Sequence, residues 1–144
     1  MASGRRFTLS IVPRIDPTIA VAVLRITTGL LVFPHGLRKL INGPVASIGE
    51  YIATHGLPPS FAYVITLGEL AGLLMVVGLF TRFASAAVAL TMASIAFGGS
   101  LSEAAMLGSG ESLGFELSLM LAVSATLCVL APATRVSLDA LRGR

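Results

Sequence analysis

The chain has no tryptophan, a single cysteine, two histidines and few charged residues, 12% of its 144 positions. One cysteine, Cys128, excludes an internal disulfide, a CxxC redox pair and a cysteine-rich metal site. Aromatic residues are also sparse, at 6%. The basic residues therefore lack the interleaved aromatics that a nucleic-acid stacking platform needs, and no nucleic acid is expected as a partner. No phosphate-binding glycine loop, HExxH pair or GxGxxG turn is present, and no flavin, haem or iron–sulfur cluster motif.

Apolar sequence fills the space. Hydrophobic residues make up 55% of the chain, and the mean hydropathy is +0.90. A water-soluble domain of this size has too little interior for that much apolar surface, which makes lipid the solvent. A helical crossing takes about 20 apolar residues. Four such stretches are readable, at 17–41, 61–80, 82–99 and 113–131. They consume most of the chain and leave no separate soluble domain. The expected fold is an all-α integral membrane protein of one domain, an up-down bundle of four transmembrane helices.

Local signals support these boundaries. Asp16-Pro17 reads as an N-cap followed by proline at the first helical position. The apolar segment that follows is interrupted by Arg25 and is not trailed by a small-residue cleavage site, so it reads as a retained helix, not a signal peptide. Pro34 predicts a kink near the outer end of this span. Asn42-Gly43-Pro44 ends it. Residues 45–55 carry Val45, Ile48, Tyr51 and Ile52 at helical spacing but are too few to cross, so an interfacial helix is expected between the first two spans. Gly68 and Gly72 form a small-xxx-small pair that admits a close neighbour. Gly78 to Arg82 reads as a tight turn, and the Gly- and Ser-rich stretch from 98 to 112 as a mobile loop.

The formal net charge is +3. Arg5, Arg6 and Arg14 precede the first span, Arg82 lies in the turn between spans two and three, and Arg135, Arg142 and Arg144 follow the last. The opposite side holds only Arg38 and Lys39. The positive-inside rule then predicts both termini in the cytoplasm.

Ionisable groups inside the spans are expensive unless paired, so they mark candidate sites. At 100° per residue, Arg25, Thr28, Gly29, Val32, His35, Gly36 and Lys39 share one stripe of the first span. That stripe is expected to face the interior, with the glycines leaving room for a bound molecule or another helix. Arginine's reach allows Arg25 to pair with Glu69, and Glu116 to meet His35, Arg38 or Lys39. His35, Glu69 and Glu116 are plausible metal ligands by type, but they have no recognised ligand spacing, and no metal site is assigned.

Several short motifs resemble the DoxX family of small bacterial membrane proteins. These are Leu24-Arg25, Gly29-Leu30, His35-Gly36-Leu37 and Lys39-Leu40, then His55-Gly56-Leu57-Pro58, then Gly68-Glu69-Leu70-Ala71-Gly72. Val77-Gly78-Leu79-Phe80-Thr81-Arg82, Glu116-Leu117 and Ser137-Leu138-Asp139 complete the series in the family's order. The resemblance implies a four-helix protein of the bacterial inner membrane. The family takes its name from a subunit type of thiosulfate:quinone oxidoreductase. Carried over, its polar positions are Arg25, His35, Lys39, Glu69, Arg82, Glu116 and Asp139.

Together the stripe, the intramembrane glutamates and the resemblance imply a membrane subunit of a quinone-linked oxidoreductase. His35 and Glu69 are the expected proton-exchanging groups, since imidazole titrates near neutrality. Arg25, Lys39, Glu116, Gly29, Gly36 and Gly72 are the expected quinone-binding set. A redox partner protein is required for onward electron transfer. The alternatives are a non-catalytic scaffold or homo-oligomer, and a small-solute or proton permease. A tag placed after Arg144 is expected to be reached by a membrane-impermeant reagent only from the cytoplasmic side; labelling from the periplasm alone would overturn the assigned orientation.

Overall fold

The computed structural model describes residues 16–43, 45–100, 112–131 and 136–142. Every regular element among them is helical, as the composition implied. In order they are α1 (Pro17–Asn42), α2 (Val45–Thr54), α3 (Phe61–Leu70), α4 (Gly72–Val77), α5 (Thr81–Ile95), a π-helical turn (Ala96–Ser100), α6 (Ser112–Leu130) and α7 (Leu138–Arg142). The expected N-terminal segment and most of the loop between α5 and α6 lie outside the described residues.

The first helix starts and stops where its caps dictate. Asp16 accepts from the Thr18 backbone N–H at 2.9 Å through Oδ1, and the last turn closes on Gly43 at φ 76°. Pro34 sits inside α1, which remains helical on both sides of it to Asn42. The second apolar stretch is shorter than its hydropathy implied. It runs as α3 and α4, separated by one irregular residue at Ala71, and ends at Val77 because Gly78 adopts the left-handed cap at φ 73°.

Close glycine contacts set the packing of α1 on α3 and α4. A Cβ at Gly29 would lie 2.5 Å from the Gly72 carbonyl oxygen, and one at Gly36 would lie 2.8 Å from Glu69 Cβ. Residue numbers rise along α1 as they fall along α3–α4, so the two run antiparallel. Gly68 and Gly72 serve different neighbours. Gly68 receives Thr91 of α5, whereas Gly72 receives the backbone of Gly29 and Phe33. The α5 helix packs most extensively on α6, and α6 returns to α1. The apolar core of Val32, Met75, Val88, Met92, Leu121 and Ala125 lies between them. The short α2 rests on the start of α3, with Gly49 against Pro59.

Polar groups accompany the apolar core inside, and large apolar side chains cover much of the outside. Arg25, Glu69, Thr28, Thr66, Ser85 and Thr91 are buried. Leu30, Leu67, Phe83, Leu90, Met120 and Leu130 point outward, with exposures from 56% to 80%. Lipid tolerates such an apolar perimeter and penalises unpartnered polar groups on it. Two helices, Pro17–Asn42 and Thr81–Gly98, are long and apolar enough to cross a membrane, and Phe61–Val77 and Gly114–Leu130 are shorter apolar helices.

Replacing Gly29 by valine is expected to force α1 away from α4 and to cost about 1–3 kcal/mol, as overpacking does. Thermal unfolding in detergent reads this as a lower midpoint. An unchanged midpoint would mean that the close approach is dispensable.

Candidate functional site

Glu69 is held at the α1–α3 contact and is 1% exposed. Lys39, one turn beyond Gly36 on α1, reaches it, and its Nζ donates to Glu69 Oε1 at 2.5 Å. The pair is asymmetric. The lysine side chain retains 22% exposure, while Glu69 Oε2 is buried with no hydrogen-bond partner among the described residues. A buried polar atom without a partner is costly, so an unfilled acceptor beside a partly exposed ammonium invites a ligand that can donate to one and accept from the other.

Arg25 does not join this pair. The antiparallel register sets Glu69 opposite Gly36, about 16 Å along α1 from Arg25 at 1.5 Å per residue. The guanidinium is buried instead at the other end of α4. Its Nη1 donates to the Met75 carbonyl at 2.5 Å and its Nη2 to the Val136 carbonyl at 2.6 Å. The Met75 carbonyl belongs to the last turn of α4, where helical acceptors are unfilled and the helix dipole favours a cation. The third donor, Nε, has no partner among the described residues.

The chain segment that supplies Val136 is clasped onto the α4–α5 turn. Phe80 has left-handed φ of 48° and cannot cap α5 with its side chain. Asp139 supplies the cap from a distance. Its Oδ1 accepts from Phe80 N at 2.9 Å, and its Oδ2 accepts from Thr81 N at 2.8 Å and Thr81 Oγ1 at 2.9 Å. The Asp139 N–H returns a bond to the Gly78 carbonyl at 3.0 Å.

Other expected site residues are placed apart. His35 is exposed, with Nδ1 2.8 Å from the Leu31 carbonyl. Its direction differs from that of Arg25 by about 80° on the helical wheel, which carries it off the buried face kept by Thr28, Gly29, Val32 and Gly36. Glu116 is exposed on α6 and does not meet Lys39, whose partner is Glu69. Of the two possible uses of Gly29, Gly36 and Gly72, the structure realises the contact with another helix. Among the described residues no group of three His, Cys, Asp or Glu side chains is gathered to hold a metal ion.

Two cavities flank the helices. One of about 260 Å³ lies at the α4–α5 turn, and its lining includes Val21, Arg25, Arg82, Cys128, Ala131 and Asp139. The other, of about 300 Å³, is a shallow apolar groove between α5 and α6 around Ala93 and Ala122. Neither is lined by Glu69 or Lys39.

The DoxX family model matches residues 20–100, which include the Lys39–Glu69 pair, Arg25 and the α4–α5 turn. The chain belongs to the DoxX family. As a member of this membrane-associated family it carries two helices of spanning length and composition. It is also similar to a protein of Bacillus subtilis (strain 168) named "Putative oxidoreductase CatD", with 40% identity over 75 residues. Those residues are 51% of this chain and 54% of the relative, so the chain spans about half the length of the protein it matches. No solved structure matches it.

In this DoxX protein four of the polar motif positions thus fall in two groups, Lys39 with Glu69 and Arg25 near the Asp139 clasp, while His35, Arg82 and Glu116 are exposed. The carbonyl partners of Arg25 were not readable in the sequence. The clasp left one trace there: α5 begins at Thr81 after Leu79-Phe80, neither of which carries a capping side chain.

Changing Lys39 to methionine strands a buried carboxylate and is expected to cost about 3–5 kcal/mol, the usual penalty for removing one partner. Glu69→Gln keeps an acceptor for Lys39 and is expected to cost less. Joining Lys39→Met with Glu69→Leu should recover much of the loss. Thermal melts of the three variants check this order; equal midpoints for Lys39→Met and the wild type would show the pair to be energetically idle.

Proposed function

We propose that the chain is a four-span subunit of a quinone-linked oxidoreductase in the bacterial cytoplasmic membrane, with both termini in the cytoplasm. In this reading α1, α3–α4, α5 and α6 are the crossings and α2 lies at the outer interface. The shorter apolar helices begin near the lower limit of about 17 residues for a crossing. Membership of the DoxX family and the name of the Bacillus subtilis relative support an oxidoreductase association.

The observation that carries the proposal is the Glu69 carboxylate, buried, held at one oxygen by Lys39 and unpartnered at the other among the described residues. A quinone carbonyl accepts hydrogen bonds and a quinol hydroxyl donates them. The spare N–H bonds of Lys39 suit the first and Glu69 Oε2 suits the second, so the donor set fits the group. When bound, a quinone supplies a two-electron, two-proton acceptor. Lys39 would orient the ring through a carbonyl, and Glu69 would hold or release a proton at Oε2. The surrounding helices would exclude water, which strengthens both interactions. Electrons would enter and leave through a redox partner protein.

A second reading, a non-catalytic scaffold or homo-oligomer, is favoured by one observation. Gly29, Gly36 and Gly72 are all consumed by helix contact, and Lys39–Glu69 would then serve to fix register.

Gentle native purification followed by mass spectrometry of proteins and extracted lipids separates the two. The expected result is a stoichiometric redox partner and quinone enriched over the bulk membrane, with the quinone falling at least fivefold in Glu69→Gln while the unfolding midpoint stays near that of the wild type. A homo-oligomer with quinone at the bulk ratio, and a Glu69→Gln variant altered only in stability, would replace the subunit reading with the scaffold.

A further inference from the structure

We propose that the cavity at the α4–α5 turn is a binding site for the phosphate group of an anionic membrane phospholipid, separate from the Lys39–Glu69 pair. Arg25 lines this cavity, is 1% exposed, and has one guanidinium donor, Nε, without a partner among the described residues. Its two Nη atoms are held by carbonyl oxygens, which fix the fork in place without neutralising it. Arg82 adds a second, exposed guanidinium to the same wall. One carboxylate, Asp139, borders the cavity, and its oxygens are occupied in capping α5. Two cations thus face one anion that is already engaged.

The rest of the lining selects among anions. Val21, Phe80, Phe83, Cys128 and Ala131 are apolar or weakly polar and stand beside Thr81 and Ser137, so the lining as a whole is amphiphilic. A free phosphate ion would leave that hydrocarbon unused. A phospholipid matches both parts, with its phosphate at the guanidinium groups and its glycerol and upper acyl carbons along Val21 and Ala131. Phe83, 80% exposed, continues the apolar wall outward for the chains. A volume of about 260 Å³ is slightly below the common range for small-molecule sites, about 300–1,000 Å³, and suits a headgroup rather than a whole lipid. In the proposed orientation the cavity opens towards the cytoplasmic leaflet, whose anionic lipids attract basic groups.

Native mass spectrometry of the full-length protein in detergent tests this, with phosphatidylglycerol, phosphatidylcholine or inorganic phosphate as the probe. One phosphatidylglycerol per chain is expected to survive, phosphatidylcholine to dissociate, and inorganic phosphate not to compete at equal concentration. Arg82→Gln should weaken phosphatidylglycerol retention about fivefold, the effect of losing one cation near an anionic headgroup. Ala131→Phe fills the cavity without changing a charge and should abolish the stoichiometric adduct. Equal retention of both lipids, an adduct undiminished in either variant, or displacement by inorganic phosphate would each overturn the proposal. If Ala131→Phe fails to fold, the exposed Arg82 decides the matter alone. Quinone content is expected to be unchanged in Arg82→Gln; loss of quinone with retention of phosphatidylglycerol on filling the cavity would assign it to quinone and overturn the lipid site.

Discussion

The structure depends on how closely α1 can approach α3 and α4. Lipid supplies no hydrophobic force between helices, so association relies on close packing and on polar contacts that have no better partner outside. Gly29 against Gly72 and Gly36 against Glu69 bring the backbones together with almost no side chain between them. That approach locks the axial register of α1 against α3–α4. Glu69 is thereby sealed within reach of Lys39, and Arg25 is set beside the C-terminal carbonyls of α4. A register shifted by about three turns would be needed to bring Arg25 to Glu69, and it would carry Lys39 away from that carboxylate.

The two polar groups solve the problem of a buried charge differently. Glu69 and Lys39 form a direct ion pair, in which removing the lysine strands the buried carboxylate. Arg25 is spread over backbone carbonyl oxygens that helix ends and turns leave unfilled. Those carbonyls belong to two chain segments distant in sequence, so the guanidinium also ties the C-terminal segment to the α4–α5 turn. Asp139 completes the tie by capping α5, whose own N-cap residue, Phe80, has no side-chain acceptor. Each arrangement leaves one polar atom unpartnered among the described residues, Glu69 Oε2 in the first and Arg25 Nε in the second.

Much of this was legible in the sequence. Apolar runs predicted helices, Asp16-Pro17 and Gly43 predicted the ends of α1, and a 100° wheel predicted that Arg25, Thr28, Gly29, Val32 and Gly36 share the buried face. His35 fell off that face because it lies at the stripe's edge, where a wheel does not say how wide the neighbouring helix is. The expected pairing of Arg25 with Glu69 failed for a related reason. Periodicity gives the angle of a residue about its own helix and says nothing of the axial offset between two helices.

The sequence by itself determined a helical, lipid-suited chain, the family it belongs to, and the small set of polar residues from which a site can be built. Only the tertiary structure decided their partners, because these depend on an interhelical register set by glycine contacts and, for Arg25, on carbonyl groups that every residue carries alike. A backbone acceptor has no letter in the sequence, and a cavity has none either.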